Sequence, residues 1–116
     1  MTTRYYKLVD KTPVEIKGVS AIRSYQSGRT ARKIGHYQDN DFIISTHFLG
    51  VDHDHDKGEP QLFETIVLDI RTDANDYALQ QSYTTWNQAM SGHKEAIKLI
   101  KSGEFLVRYC EDEHDR

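Results

Sequence analysis

Cysteine is almost absent: Cys110 stands alone among 116 residues, so no intrachain disulfide framework exists and a reducing compartment is expected. Proline occurs only at Pro13 and Pro60, both where a turn or loop is expected. No apolar run approaches the roughly 20 residues a membrane-spanning helix needs. The opening MTTRYYKLVD lacks the apolar core of a signal peptide, so a soluble cytoplasmic protein without a membrane partner is expected. Basic residues do not predominate: 15 Lys and Arg face 18 Asp and Glu, for a net charge of −3. That balance argues against a general duplex nucleic-acid binder, which usually shows a basic stripe. Apolar residues are also few, at 37 %, and mean hydropathy is −0.72. Seven Tyr and four Phe partly compensate, since each aromatic side chain buries a large area. A chain of this length folds as one domain, residues 1–116, and buries roughly two-thirds of its unfolded surface. So lean a core is expected to complete itself in a homo-oligomer.

The elements follow from periodicity and turn chemistry. RYYKLVD and VEIK read as strands joined by a turn at residues 10–13, and RKIGHYQ as a strand ending at Asp39-Asn40-Asp41. Between them, VSAIRSYQSG reads as a short helix from Ser20 to Gly28. FIISTHFLG and LFETIVLDI, rich in β-branched and aromatic residues, predict a long-looped antiparallel hairpin. The polar RTDANDYALQQS reads as a loop. Thr85 and Gln88 predict a capping box, and Trp86, Ala89, Met90, His93, Ala96, Ile97 and Ile100 form one helical stripe that stops at Gly103. Gly92 inside that helix costs about 1 kcal/mol against Ala, which implies a close approach to its backbone. EFLVRY suggests a last strand. The expected fold class is α+β, an antiparallel sheet of four to five strands with one long C-terminal helix packed on a face.

The chemistry-bearing stretches are few. Asp52-His53-Asp54-His55-Asp56 offers metal-ligand types, but neither an H-x-x-x-H spacing nor the offsets of a calcium-binding loop, and it reads as a hydrated loop tip. Glu64 sits in the midst of Leu62, Ile66, Leu68 and Ile70, where a carboxylate must find a cation or donors. RSYQSGRTARK gathers Arg23, Arg29, Arg32 and Lys33 without an acid, a solvated patch or a small phosphate site. His93 on the helix stripe reads as a hydrogen-bonded core histidine more readily than as a ligand. Glu111 and Asp112 follow Cys110 and disfavour its thiolate, so no nucleophile is expected there. No phosphate-binding glycine loop, nucleophile elbow or paired CxxC occurs, and no metal or other cofactor is expected.

STHFLGVDH, then Pro60 with LFET, then SYTTWNQAMSGH resembles a widespread family of small tailed-phage proteins. The likeness runs from YYKLVDKTPVE to His93, and its motif positions here are Arg32, Ser45, Thr46, Phe48, Gly50, Asp52, His53, Phe63, Glu64, Thr65, Tyr83 and His93. His47 and Ser82 depart from the pattern, and Asp54-His55-Asp56 fill a loop that is often richer in glycine. In size and sheet–helix build the chain is similar to phage anti-CBASS sponges, which hold cyclic dinucleotides between subunits of an oligomer. That resemblance implies a non-catalytic protein in the cytoplasm of an infected bacterium, sequestering cyclic nucleotide signals of anti-phage defence. Such a ligand needs stacking, cations and edge-reading groups. Tyr37, Phe48, Tyr83 and Trp86 are the candidates for stacking, and Arg29, Arg32 and Lys33 for the phosphates. Thr46, Asp52 and Glu64 are candidates for base edges, with His53, Thr65 and His93 completing the expected set. The rival classes are a small metal-assisted hydrolase using Asp52, His53, Glu64 and His93, and a phage component that binds a host protein.

Overall fold

The computed structural model describes residues 3–20, 23, 32–52, 58–71 and 76–110. Its centre is the expected hairpin. Strand β4 (Phe42–Phe48) buries Phe42, Ile44, Thr46 and Phe48 on alternate positions, and β6 (Phe63–Asp69) buries Phe63, Thr65 and Val67 on the same face. They pair antiparallel from Phe42 opposite Asp69 to Phe48 opposite Phe63. Glu64 therefore lies on the outer face, with half-buried Ile66 and Leu68.

Strand β3 (Arg32–Gln38) adds beside β4, with a bulge between Lys33 and Gly35 that turns Ile34 toward the core. The turn into β4 is held by Asp39, whose Oδ1 accepts the backbone N–H groups of Asp41 and Phe42, both at 2.8 Å. Strand β7 (Asp76–Tyr83) completes the order β3-β4-β6-β7. This corrects the loop expected there. As an edge strand it has one wet face and a bulge opposite Val67 and Leu68, so its apolar residues lose a clean alternation and polar ones dominate.

A second, three-stranded sheet, in the order β2-β1-β5, replaces the single sheet of four to five strands. Strands β1 (Arg4–Val9) and β2 (Thr12–Ile16) form a tight hairpin in which Asp10 takes φ 57°, and Pro13 lies within edge strand β2, opposite Leu8. Gly50, at φ 78°, redirects the chain after β4 so that β5 (Val51–Asp52) pairs with β1. Tyr6 donates its N–H to the Gly50 carbonyl at 2.9 Å, and its ring packs with Phe48 and Phe63. The small sheet thus hangs from one end of the larger, in a molecule 52 Å long and 27 Å across. The helix expected between Ser20 and Gly28 falls mostly outside the described residues.

Helix α1 (Trp86–Ser102) crosses the inner face of the large sheet. The predicted capping box is present: Gln88 N–H donates to Thr85 Oγ1 at 3.1 Å while Gln88 Oε1 accepts from Thr85 N–H at 3.2 Å. The helix buries Ala89, His93, Ala96 and Leu99, a stripe slightly rotated from the expected one, and ends at Gly103 with φ 83°. Beyond it no strand forms among the described residues. Phe105 is fully buried, edge-on to Phe42 at 5.2 Å between ring centres, and Leu106–Cys110 wind a π-helical turn. A strand would have set Phe105, Val107 and Tyr109 on one face, yet Val107 is 62 % exposed. Cys110 is buried in the cluster beneath.

Phe105→Ala should destabilise by about 3–5 kcal/mol, because it empties a well-packed aromatic site. Val107→Ala should change stability by less than about 0.5 kcal/mol. Denaturant melts check both, and equal costs would restore the strand.

Candidate functional site

Three groups of polar side chains stand out, and they occupy separate places. The first lies between sheet and helix. Thr46 Oγ1 is 2.7 Å from Thr65 Oγ1 on the neighbouring strand and 2.7 Å from His93 Nδ1 on the helix. Thr46 and Thr65 are 0 and 1 % exposed, and His93 is 5 % exposed. Gly35 closes the remaining side: a Cβ there would meet three atoms of the His93 ring at 3.0–3.1 Å. A hydroxyl beside an imidazole is the arrangement of an activated nucleophile. Here it is sealed from any substrate, and the hydrogen bonds satisfy buried groups instead. Burial, and then the charge of nearby His36, hold the His93 pKa below its usual value.

The second group is on the outer face of the large sheet. Lys33, His47, Glu64 and Ser82 form one row across β3, β4, β6 and β7. His47 is held below its usual pKa by partial burial first and by Lys33 second, with Glu64 opposing both. Glu64 stands directly opposite His47 in this row, with Lys33 one strand further on.

The third is a shallow groove of about 670 Å³ where β7 meets the first turns of α1. Gln61, Ser82, Thr84, Asn87, Gln88 and Ser91 line it with amides and hydroxyls, beside Tyr83 and Gly92. The glycine has the reason its cost implied. A Cβ at Gly92 would overlap the Tyr83 hydroxyl and stand 2.5 Å from Cζ and 2.8 Å from Cε1. Tyr83 thereby lies directly on the helix and donates its hydroxyl to Gln81 Oε1 at 3.0 Å.

The expected ligand set does not converge. Thr46, Thr65 and His93 are the buried chain just described, and Phe48 is 1 % exposed in the core, closed to any stacking base. Asp52 is buried in the small sheet, opposite Arg4. Tyr37 is engaged by Asp39, to which its hydroxyl donates at 3.0 Å, and by Lys101 above its ring. Arg32 and Lys33 stand on β3 and Glu64 on the outer face, whereas Tyr83 lies at the far edge, three strand spacings or about 14 Å from β3. Trp86 opens the helix beside that edge, with Lys11 5.7 Å from its ring centre. Arg29 and His53 lie outside the described residues. Of the described members of the expected set, Tyr83 alone lines the groove. The groove's other residues carry one legible signal, hydroxyl and amide side chains at helical spacing (Asn87 and Ser91) on the polar side of a predicted helix.

Among the described residues no three His, Cys, Asp or Glu side chains are grouped to hold a metal ion, and the loop from His53 to Asp56 lies outside them. No described helix is long and apolar enough to cross a membrane. Comparison with known protein families, with curated proteins and with solved structures returns no match. Function is therefore read from the residues themselves.

Two outcomes test this geometry. His93 and His47 both have folded-state pKa values below the usual 6.5, so the unfolded chain binds more protons near that pH. Their contribution is complete above pH about 6.5 and is lost as pH falls through the depressed folded values. The melting temperature should drop on acidification below that point, and His93→Gln should flatten part of the drop. Gly92→Ala should destabilise by about 1–3 kcal/mol despite the better helix propensity of alanine. In a Tyr83→Ala background the same change should become neutral or stabilising, as a double-mutant cycle of melts would show.

Proposed function

We propose that this chain is a non-catalytic binding protein of phage type that sequesters a nucleotide signal, with cyclic dinucleotides the candidate class. One observation carries the reading: among the described residues, the groove between β7 and α1 is lined by neutral hydrogen-bonding groups with Tyr83 at its floor, and by no His, Asp, Glu or Lys. Amides pair with base edges as donor and acceptor at once, hydroxyls suit ribose, and a tyrosine ring offers a stacking face. Such a surface recognises a ligand and holds no general base to transform it. The histidine and threonine that look most catalytic lie closed beneath the helix. The likeness in size and sheet–helix build to phage anti-CBASS sponges is what suggests a cyclic nucleotide. Among the described residues the groove offers no cation for the phosphates of such a ligand.

The hydrolase reading draws less support. Asp52 belongs to the small sheet and Glu64 to the outer face of the large one, so these two carboxylates do not share a cleft.

A thermal-shift series with cyclic dinucleotides and linear dinucleotide controls tests the proposal. At about 100 times the dissociation constant the ligand adds about 2.7 kcal/mol, several degrees for a domain of this size. Chromatography after heat denaturation should return the cyclic nucleotide intact. Ser91→Phe, at an exposed helix position inside the groove, should abolish the shift and leave the helical circular dichroism unchanged. Absence of a shift with every cyclic nucleotide overturns the reading, and recovery of cleaved nucleotide makes the protein an enzyme.

A further inference from the structure

The helix covers one face of the four-stranded sheet and leaves the other uncovered among the described residues. That outer face carries its apolar side chains, Ile43, Ile66, Leu68 and Tyr77, toward one end of the strands. Half-buried Ile43 and Leu68 are flanked in their row by Gln38 on β3 and by Tyr77 on β7, which is 65 % exposed, and a middle row of His36, Ser45, Ile66 and Gln80 lies between this row and the charged one. The other half carries Lys33, His47, Glu64 and Ser82, in that order from edge to edge. We infer that a second copy of this chain packs on this face, with a two-fold axis running along the strands between β4 and β6.

Register selects that axis. A rotation about the strand direction exchanges β4 with β6 and β3 with β7 while keeping every row at its own height. His47 then meets Glu64 of the second copy, twice, and Ile43 meets Leu68 of the second copy, twice. A two-fold across the strands would exchange the rows instead, setting Glu64 on Leu68 and His47 on Ile43, with charges desolvated against apolar groups. Of the two axes, this one alone sets His47 against Glu64 and Ile43 against Leu68, while Ile66 meets Ser45 and Tyr77 meets Gln38 at its margins, a self-matching register of the kind an isologous interface requires. Aligned sheet-on-sheet packing at about 10 Å accommodates it. Four strands of about seven residues project to roughly 19 by 23 Å, so two faces bring close to the ~1,000 Å² a specific interface needs before side-chain relief is counted.

The same rotation has a consequence for the groove. It lays β3 of the second copy over β7, which sets its Lys33 opposite Ser82 on the groove wall. Within one chain Lys33 and Ser82 are at opposite sheet edges, about 14 Å apart, and cannot meet. A cation arriving there answers the one lack of the groove, charge for a phosphate. This second part rests on the nucleotide reading; the interface does not.

Sedimentation equilibrium of the full chain should give about 27 kDa, twice 13.5 kDa, and a monomer at 100 µM overturns the interface. Leu68→Glu should yield a monomer with unchanged circular dichroism. Should that variant fail to fold, Ser82→Lys at an exposed edge position reads the same contact. It opposes two lysines and should weaken the dimer at least about tenfold, and Lys33→Glu with Ser82→Lys should restore it. If Ser82→Lys and the double variant dimerise like the unaltered chain, this register is wrong. Nucleotide binding separates the two parts: a monomeric variant that keeps the full thermal shift removes the composite site and leaves the dimer. An unaltered dimer that binds no cyclic nucleotide removes the proposed function and leaves the interface.

Discussion

Everything in this fold is arranged around one chain of buried hydrogen bonds, Thr65 to Thr46 to His93. Along the strands these residues fall between two apolar clusters, one built on Ile44, Val67 and Ala96, the other on Phe48, Phe63 and Ala89. The polar layer therefore divides the core in two and ties the halves through the helix. Apolar contact alone would let α1 slide along the sheet by a turn at modest cost, because Leu, Ile and Ala repack readily. A slide would leave the imidazole and both hydroxyls buried and unsatisfied, at about 1–3 kcal/mol for each group. The hydrogen bonds thus fix the position of a helix that hydrophobicity merely attracts.

Two close approaches make that position reachable. Gly35 lets the sheet come within van der Waals distance of the His93 ring, and Gly92 lets Tyr83 lie flat on the helix backbone. One glycine is on the sheet and one on the helix, each accommodating a ring from the other element. The lean apolar content of the sequence is explained in part by this economy. Where a Leu or Ile would ordinarily fill the interface, an aromatic ring over a bare Cα fills it instead.

Much of this was legible in the residues. The β4–β6 pair announced itself through β-branched density, the helix through Thr85 with Gln88 and through Gly103, and the close approach to Gly92 through its cost. Long-range arrangement was not legible. Whether β7 is a strand depends on β6 offering it an edge, and its bulge spoils the local alternation that would have revealed it. The residues after Gly103 have strand-like composition, but the αL turn aims them at a gap beside Phe42, and filling that gap outweighs propensity. The described members of the candidate set are scattered within one chain for the same reason. Motif positions such as Thr46, Phe48 and His93 belong to the core and are spaced by its geometry, whereas the groove is lined by ordinary surface amides and hydroxyls that no motif marks.

Pro13 carries a further consequence. It sits in β2, the outermost strand of the small sheet, and still pairs with Leu8 of β1, so its nitrogen faces away from the hairpin. A strand approaching that border meets a missing donor and a ring where the ladder should continue. The elongated end of the molecule, with Val9 and Val14 exposed on its hairpin, is therefore a poor template for stacking into fibres, a safeguard carried by a single imino acid.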